Sequence, residues 1–256
     1  MKLGVMQGRL SLPVDGHMQE FPTHWMGEFM LLQRMKLNHL EWLVTEKSLR
    51  NNPVLVPQYS LNYMPISSIC ADNLVDERIA DKEFLFSNLI PICEGALKNG
   101  VPRITIPLLE DSNVEDDEKR DTFGKLISEL AFKYLNLKFS FEAELEPKKL
   151  LEILNKMPNF FVTYDTGNIT SCGFDHKEYV NLLSKHIDNV HLKDRTYDAK
   201  TVEPFTGDTN FKLIFQLLNE MGYNGPYTMQ TARGAEGKEY ETIMRHKEIF
   251  EGVFNE

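Results

Sequence analysis

The chain has 256 residues, 42% of them hydrophobic, and a formal net charge of −10. That charge argues against a nucleic-acid partner, which needs a basic face to neutralise phosphates, and no run approaches the roughly 20 apolar residues of a membrane span. The three cysteines, Cys70, Cys93 and Cys172, are odd in number and widely separated, so they form no disulfide framework and suit a reducing cytoplasm. Near the start, Gln7, Gly8 and Arg9 interrupt the apolar run before a signal-peptide core could form. A soluble, cytoplasmic protein with one domain over 1–256 is expected.

Taken in order, Lys2 to Met6 reads as a strand opening into a loop with Gln7, Gly8 and Arg9, and residues 10 to 23 read as irregular. A helix is expected over His24 to Lys36, with Trp25, Phe29, Leu32 and Met35 on its buried face. A second strand follows over His39 to Val44 with Glu41 inside it, then a loop over Asn51 to Tyr63, then a third strand from Pro65 to Cys70. The next helix, Asp81 to Asn99, should kink or divide at Pro91 and stop at Gly100. Pro102 to Pro107 forms a fourth strand, and the acids Glu115 to Glu118 open a helix burying Leu126, Ile127, Leu130 and Tyr134. A fifth strand, Leu137 to Phe141, leads into Glu142, and Pro147 starts a helix with Leu150, Leu151 and Leu154 inside.

The sixth strand, Asn159 to Tyr164, is an unbroken apolar and aromatic run ending on Asp165, followed by Thr166-Gly167-Asn168. Asp175 caps a helix carrying Tyr179, Leu182 and Leu183, and a seventh strand from Ile187 delivers His191. A long loop, Lys193 to Asp208, precedes a helix with Phe211, Ile214, Phe215 and Leu218. An eighth strand, Tyr227 to Thr231, and a last helix with Ile243, Met244 and Phe250 inward complete the chain. Eight strands alternating with helices, without linker or low-complexity segment, predict an α/β fold, a (β/α)₈ TIM barrel with its active site at the carboxyl ends of the strands.

Three successive strands each end on a good metal ligand, Glu142, Asp165 and His191, at spacings close to one strand plus its helical crossover. Two carboxylates and an imidazole suit one divalent ion, Mn²⁺, Zn²⁺, Co²⁺ or Mg²⁺. The competing readings are solvated acids at Glu142 and Glu144, a helix cap at Asp165 and a structural histidine at His191. Gln230 in the eighth strand could close the ring through its amide oxygen, but an amide cannot act as a general base. Gln7, Arg9, Cys70, Asn168, Lys193, Asp194, Arg195 and Arg233 lie near strand ends and are the candidate substrate contacts. For Lys193, Asp194, Arg195 and Arg233, an ion-paired surface loop is the equal alternative. No Walker-type or Gly-x-Gly-x-x-Gly phosphate loop is present.

Gly4-Val5-Met6-Gln7-Gly8-Arg9-Leu10-Ser11, Ser67 to Asp72, Tyr164 to Asn168, Val190 to Arg195 and Gly222 to Pro226 together resemble the xylose-isomerase-like TIM-barrel superfamily, in its sugar phosphate isomerase/epimerase branch. The resemblance implies one divalent metal held from strands five to eight by Glu, Asp, His and Glu, and it carries over to Glu142, Asp165 and His191. At strand eight it fails, because Gln230 stands where a second, acid–base glutamate is expected. Glu203, Glu110 or Glu236 are the acids near the mouth that could substitute. The implied activity is isomerisation or epimerisation of a small sugar or sugar phosphate through an enediolate, with Glu142 moving the proton. The alternatives are a metal-dependent dehydratase of a keto-sugar or cyclic polyol, and a catalytically silent sugar-binding barrel. A homodimer is the assembly to test.

Overall fold

The computed structural model describes residues 1–14 and 21–254. The irregular stretch expected over residues 10 to 23 therefore falls partly outside the described residues, at 15–20. The strands are β1 (Lys2–Met6), β2 (Leu40–Leu43), β3 (Ile66–Cys70), β4 (Arg103–Leu108), β5 (Lys138–Ala143), β6 (Phe160–Asp165), β7 (Ile187–Leu192), β8 (Asp194–Arg195), β9 (Thr201–Val202) and β10 (Pro226–Met229). The helices are α1 (Trp25–Arg34), α2 (Lys82–Lys98), α3 (Asp117–Lys133), α4 (Pro147–Leu154), α5 (Thr166–Ser171), α6 (His176–Leu183), α7 (Phe211–Glu220) and α8 (Glu239–Phe254). Eight strands close a barrel in the order β1-β10-β7-β6-β5-β4-β3-β2 with helices between them, the expected (β/α)₈ architecture. Within the barrel, β1 runs parallel to β10 and β2, β10 to β7, β3 to β4, β4 to β5 and β5 to β6, as crossover connections require. Among the described residues, no helix is long and apolar enough to cross a membrane.

The chain falls into two compact units. One comprises Met1–Glu41, Tyr164–Ser184 and Asp188–Glu256. Its β1 and β10 pair closely, with Gly4 opposite Thr228. A side chain at Gly4 would come 2.3 Å from the His39 imidazole and carbonyl, so glycine is needed there. That room lets His39 Nε2 lie 3.1 Å from Thr228 Oγ1. Behind β10, edge-to-face and tilted rings of Phe211, Phe215, Tyr227, Phe250 and Phe254 form the apolar layer against α7 and α8.

The other unit comprises Trp42–Thr163 and Lys185–Ile187. Phe123, Phe139, Phe141 and Phe160 interlock edge-to-face in its core. The alternate face of the same strands is polar. Ser68 and Thr105 hydroxyls lie 2.8 Å apart, as do those of Ser140 and Thr163, with Thr105 and Thr163 at 3.5 Å. Four buried hydroxyls thus satisfy one another across β3 to β6, which avoids the cost of unpaired polar groups in a barrel interior.

Several local expectations are corrected. Pro91 does not divide α2, which runs as one helix over Lys82–Lys98. Pro91 is exposed, so its ring and the missing N–H sit on the solvent side, where water can satisfy the freed carbonyl. Trp25, Leu126, Tyr134, Leu151 and Met244 are only half-buried and Leu182 is exposed. Phe123, Ile153, Val180 and His246 occupy inner positions, because the helices are rotated slightly from the faces read off the sequence. Lys193 to Asp208 is not plain loop. It holds the two-residue strands β8 and β9, paired antiparallel, too short to leave a period in the sequence.

Candidate metal centre

All the strand-end candidates fall at carboxyl ends: Gln7 just after β1, Cys70 last in β3, Glu142 near the end of β5, Asp165 last in β6, His191 in β7, and Gln230 just after β10. Glu142, Asp165 and His191 each offer one ligand atom, and these atoms lie within 4.8 Å of one another. The three residues are 3%, 2% and 0% exposed. Ligand atoms bonded at about 2.1 Å to one ion lie about 3.0–4.2 Å from one another, so side-chain adjustments of about an ångström would draw these around a cation. Buried carboxylates also need a positive partner. The donor set therefore fits a divalent ion.

Asp165 serves the fold and the cluster with different oxygens. Its Oδ1 accepts from the Asn168 amide at 2.8 Å, capping α5, which starts at the next residue. Its Oδ2 lies 3.0 Å from Lys193 Nζ and 3.9 Å from His191 Nδ1. Burial pushes the Asp165 carboxyl up, but the Lys193 ammonium, His191 and the Asn168 amide outweigh it and hold the group below the usual carboxylate range. Lys193 is fixed by its backbone: Thr166 Oγ1 donates to its carbonyl at 2.7 Å, and the Lys193 N–H donates to Thr166 Oγ1 at 3.0 Å. Its ammonium also reaches Asn168 Oδ1 at 3.4 Å. Gly167 makes this packing feasible, since a Cβ there would meet Lys193 Cγ at 2.9 Å and Arg195 Cγ at 3.1 Å. Behind Asp165, the Tyr164 hydroxyl lies 2.5 Å from His176 Nδ1, and His176 Nε2 lies 3.0 Å from Thr170 Oγ1 on α5. Burial holds His176 down to about 4.

The remaining candidates divide. Asp194 is fully buried and accepts from the amides of Thr206, Gly207 and Thr209, so it anchors the loop beyond the β8–β9 hairpin. Arg195 Nη1 donates to Ser171 Oγ at 3.3 Å. Arg233 is half-buried, and its Nη2 donates to the Gly8 carbonyl, bringing the post-β10 loop to the loop that carries Gln7 and Arg9. Gln7 is fully buried, Cys70 buried and Arg9 half-buried. The Gln230 Oε1 is buried and has no hydrogen-bond partner among the described residues. Of the acids that could replace a glutamate at Gln230, Glu110 and Glu236 are exposed. Glu203 is tied to α8, 2.7 Å from His246 Nε2 and 2.9 Å from Arg245 Nη2.

Two further buried acids stand outside the candidate ligand set, Glu41 near a strand end and Glu28 on a helix. Glu28 in α1 accepts from the Gly8 and Leu10 amides and the Ser11 hydroxyl, holding the β1–α1 loop. Glu41 in β2 is fully buried, its Oε2 2.9 Å from His191 Nε2. Each had left a trace: Glu28 lies on the apolar face of Leu32 and Met35, and Glu41 interrupts the apolar run from Leu40 to Leu43.

The xylose isomerase-like TIM barrel family model matches residues 58–248, and the chain belongs to that family. No curated protein sequence matches it. Its structure is similar to that of the IOLI protein with a bound zinc atom, at 15% identity and TM-score 0.74, covering 100% of this chain and 98% of that one. D-allulose 3-epimerase from Methylomonas sp. is similar at 13% identity and TM-score 0.73, covering 99% and 98%. The probable 3-DHS dehydratase AsbF from Bacillus anthracis is similar at 14% identity and TM-score 0.73, covering 98% and 99%. At these identities the structural likeness speaks for the fold alone.

Proposed function

We propose that this chain, acting as one barrel domain over 1–256, is a metal-dependent isomerase or epimerase of a small polyhydroxylated carbonyl compound such as a sugar or sugar phosphate. The observation that carries this reading is the buried trio Glu142, Asp165 and His191, whose ligand atoms lie within 4.8 Å of one another. The epimerase among the similar structures supports the same class. Those three residues would hold the ion, and what a divalent ion supplies when bound is Lewis acidity at a substrate carbonyl. The Glu142 carboxylate takes the proton from the carbon beside that carbonyl and returns it to the former carbonyl carbon on the same face, the neighbouring hydroxyl proton passing to the carbonyl oxygen; delivery to the opposite face needs a second acid, which the Gln230 amide does not supply. Asp165 keeps its negative charge for this work because the Lys193 ammonium stabilises it. Lys193, Asn168, Arg195 and Arg233 orient hydroxyls or an anionic group of the substrate, with Gln7, Arg9 and Cys70 at the remaining strand ends.

A dehydratase is the second reading. The similarity to a probable 3-DHS dehydratase favours it, as does Gln230, whose amide cannot exchange a proton at neutral pH and so leaves one carboxylate for proton transfer. Turnover of a panel of ketoses, aldoses and keto-polyols with added Mn²⁺ tests the proposal, with isomer exchange separated from water loss by NMR. Glu142→Gln should abolish turnover and leave thermal unfolding intact. Near-native turnover in that variant would sink the assignment.

A further inference from the structure

Glu41 and His191 meet across two intervening strands. In the barrel order β10 and β1 separate β2 from β7, so a side-chain contact between β2 and β7 is made through the barrel interior. Both residues are fully buried, and Glu41 Oε2 lies 2.9 Å from His191 Nε2. Asn189, two residues earlier and on the same face of β7, donates its Nδ2 to the same oxygen at 3.2 Å. Two nitrogens of β7 thus converge on one carboxylate oxygen, the arrangement of an acceptor between two donors. The other ring nitrogen of His191, Nδ1, is the one facing Asp165 Oδ2 at 3.9 Å.

We propose that Glu41 is the positioning residue of the metal centre: it accepts the Nε2 proton of His191 and thereby presents the Nδ1 lone pair on the side of Asp165. A neutral imidazole carries one proton, and whichever nitrogen holds it cannot ligate. A carboxylate on Nε2 fixes the tautomer and the ring plane and raises the basicity of the ligating nitrogen. With an amide at Gln230, the candidate site has only two carboxylates, Glu142 and Asp165, and so the more need of a strong imidazole ligand. The inference rests on the reading of His191 as a ligand, with Glu41 acting through that imidazole.

Two measurements test it. In metal-free protein labelled with ¹⁵N-histidine, long-range proton–nitrogen correlation should show His191 protonated at Nε2, the resonance being assigned by its loss in His191→Gln. Calorimetric titration with Mn²⁺ should then show affinity about 10- to 100-fold weaker in Glu41→Gln, with Glu41→Asp recovering part of the loss. A merely structural buried pair would shift the melting temperature and leave Mn²⁺ affinity alone. An Nδ1-protonated His191, or a Glu41→Gln affinity within two-fold of native, overturns the proposal. Native protein that takes up no Mn²⁺ overturns the metal reading and the positioning role with it, while the metal-free spectrum decides the tautomer independently. If Glu41→Gln fails to fold, Glu41→Asp carries the affinity test, with a loss expected and an unchanged value refuting.

Discussion

His176 supplies a pH dependence whose size can be worked out. Its two ring nitrogens lie 2.5 Å from the Tyr164 hydroxyl and 3.0 Å from Thr170 Oγ1, and burial lowers it from 6.5 to about 4. The unfolded chain binds this proton below about pH 6.5 and the folded chain only below about pH 4, so the neutral ring's contribution is complete above the window and is lost as pH falls through it. At about 1.4 kcal/mol per pH unit, the full loss is about 3 kcal/mol, of which about 2 kcal/mol is gone by pH 5. Urea unfolding at pH 7, 6 and 5 of the native protein and His176→Gln measures it. The amide of the variant can still bond the tyrosine and threonine hydroxyls but does not titrate. Stability of the native protein should fall more steeply than that of the variant, by about 2 kcal/mol between pH 7 and 5. Parallel curves, or an NMR titration of His176 near 6.5, would refute the reasoning. Tyr164 precedes Asp165 and Thr170 lies on the helix Asp165 caps, so the same titration should loosen Asp165.

Other consequences follow from single contacts. Glu28→Ala strips the acceptor from the Gly8 and Leu10 amides and the Ser11 hydroxyl; denaturant unfolding should show a loss of about 2–4 kcal/mol. Gly167→Ala places a methyl group 2.9 Å from Lys193 Cγ; overpacking should cost about 1–3 kcal/mol by urea unfolding, and turnover should fall as Lys193 leaves Asp165. Glu203→Gln removes the charge that pairs with His246 and Arg245; limited proteolysis within residues 194–208 should accelerate, and an unchanged cleavage rate would show that α8 does not hold the hairpin.

The barrel and the convergence of Glu142, Asp165 and His191 at its strand ends were legible because each is written locally. An apolar strand, a polar residue at its end and a helix of fixed length repeat with the same spacing, and the fold places like positions together. The partners of those residues were not legible. Glu41 meets His191 from 150 residues away, and nothing in either local sequence specifies the pairing. Glu28 lies on the buried face of α1, but its three partners lie in an irregular loop whose course no local period specifies. Asp194 and Lys193 are neighbours in one charged run, yet backbone amides enclose the first while the second reaches Asp165. Alternation along the chain separates such neighbours only once the strand's exit is known. Gln230 departs from the pattern that the resemblance implies, and its buried Oε1, without a hydrogen-bond partner among the described residues, makes it an informative residue of the mouth.

The most direct test is elemental analysis of the purified native protein beside His191→Ala, each also after incubation with Mn²⁺, Co²⁺ or Zn²⁺ and removal of excess. Near-stoichiometric metal in the native protein, lost in the variant, is the expected result. A native protein that neither carries nor takes up any of these ions, or a variant that binds as well as the native chain, would contradict the assignment of Glu142, Asp165 and His191 as a metal centre.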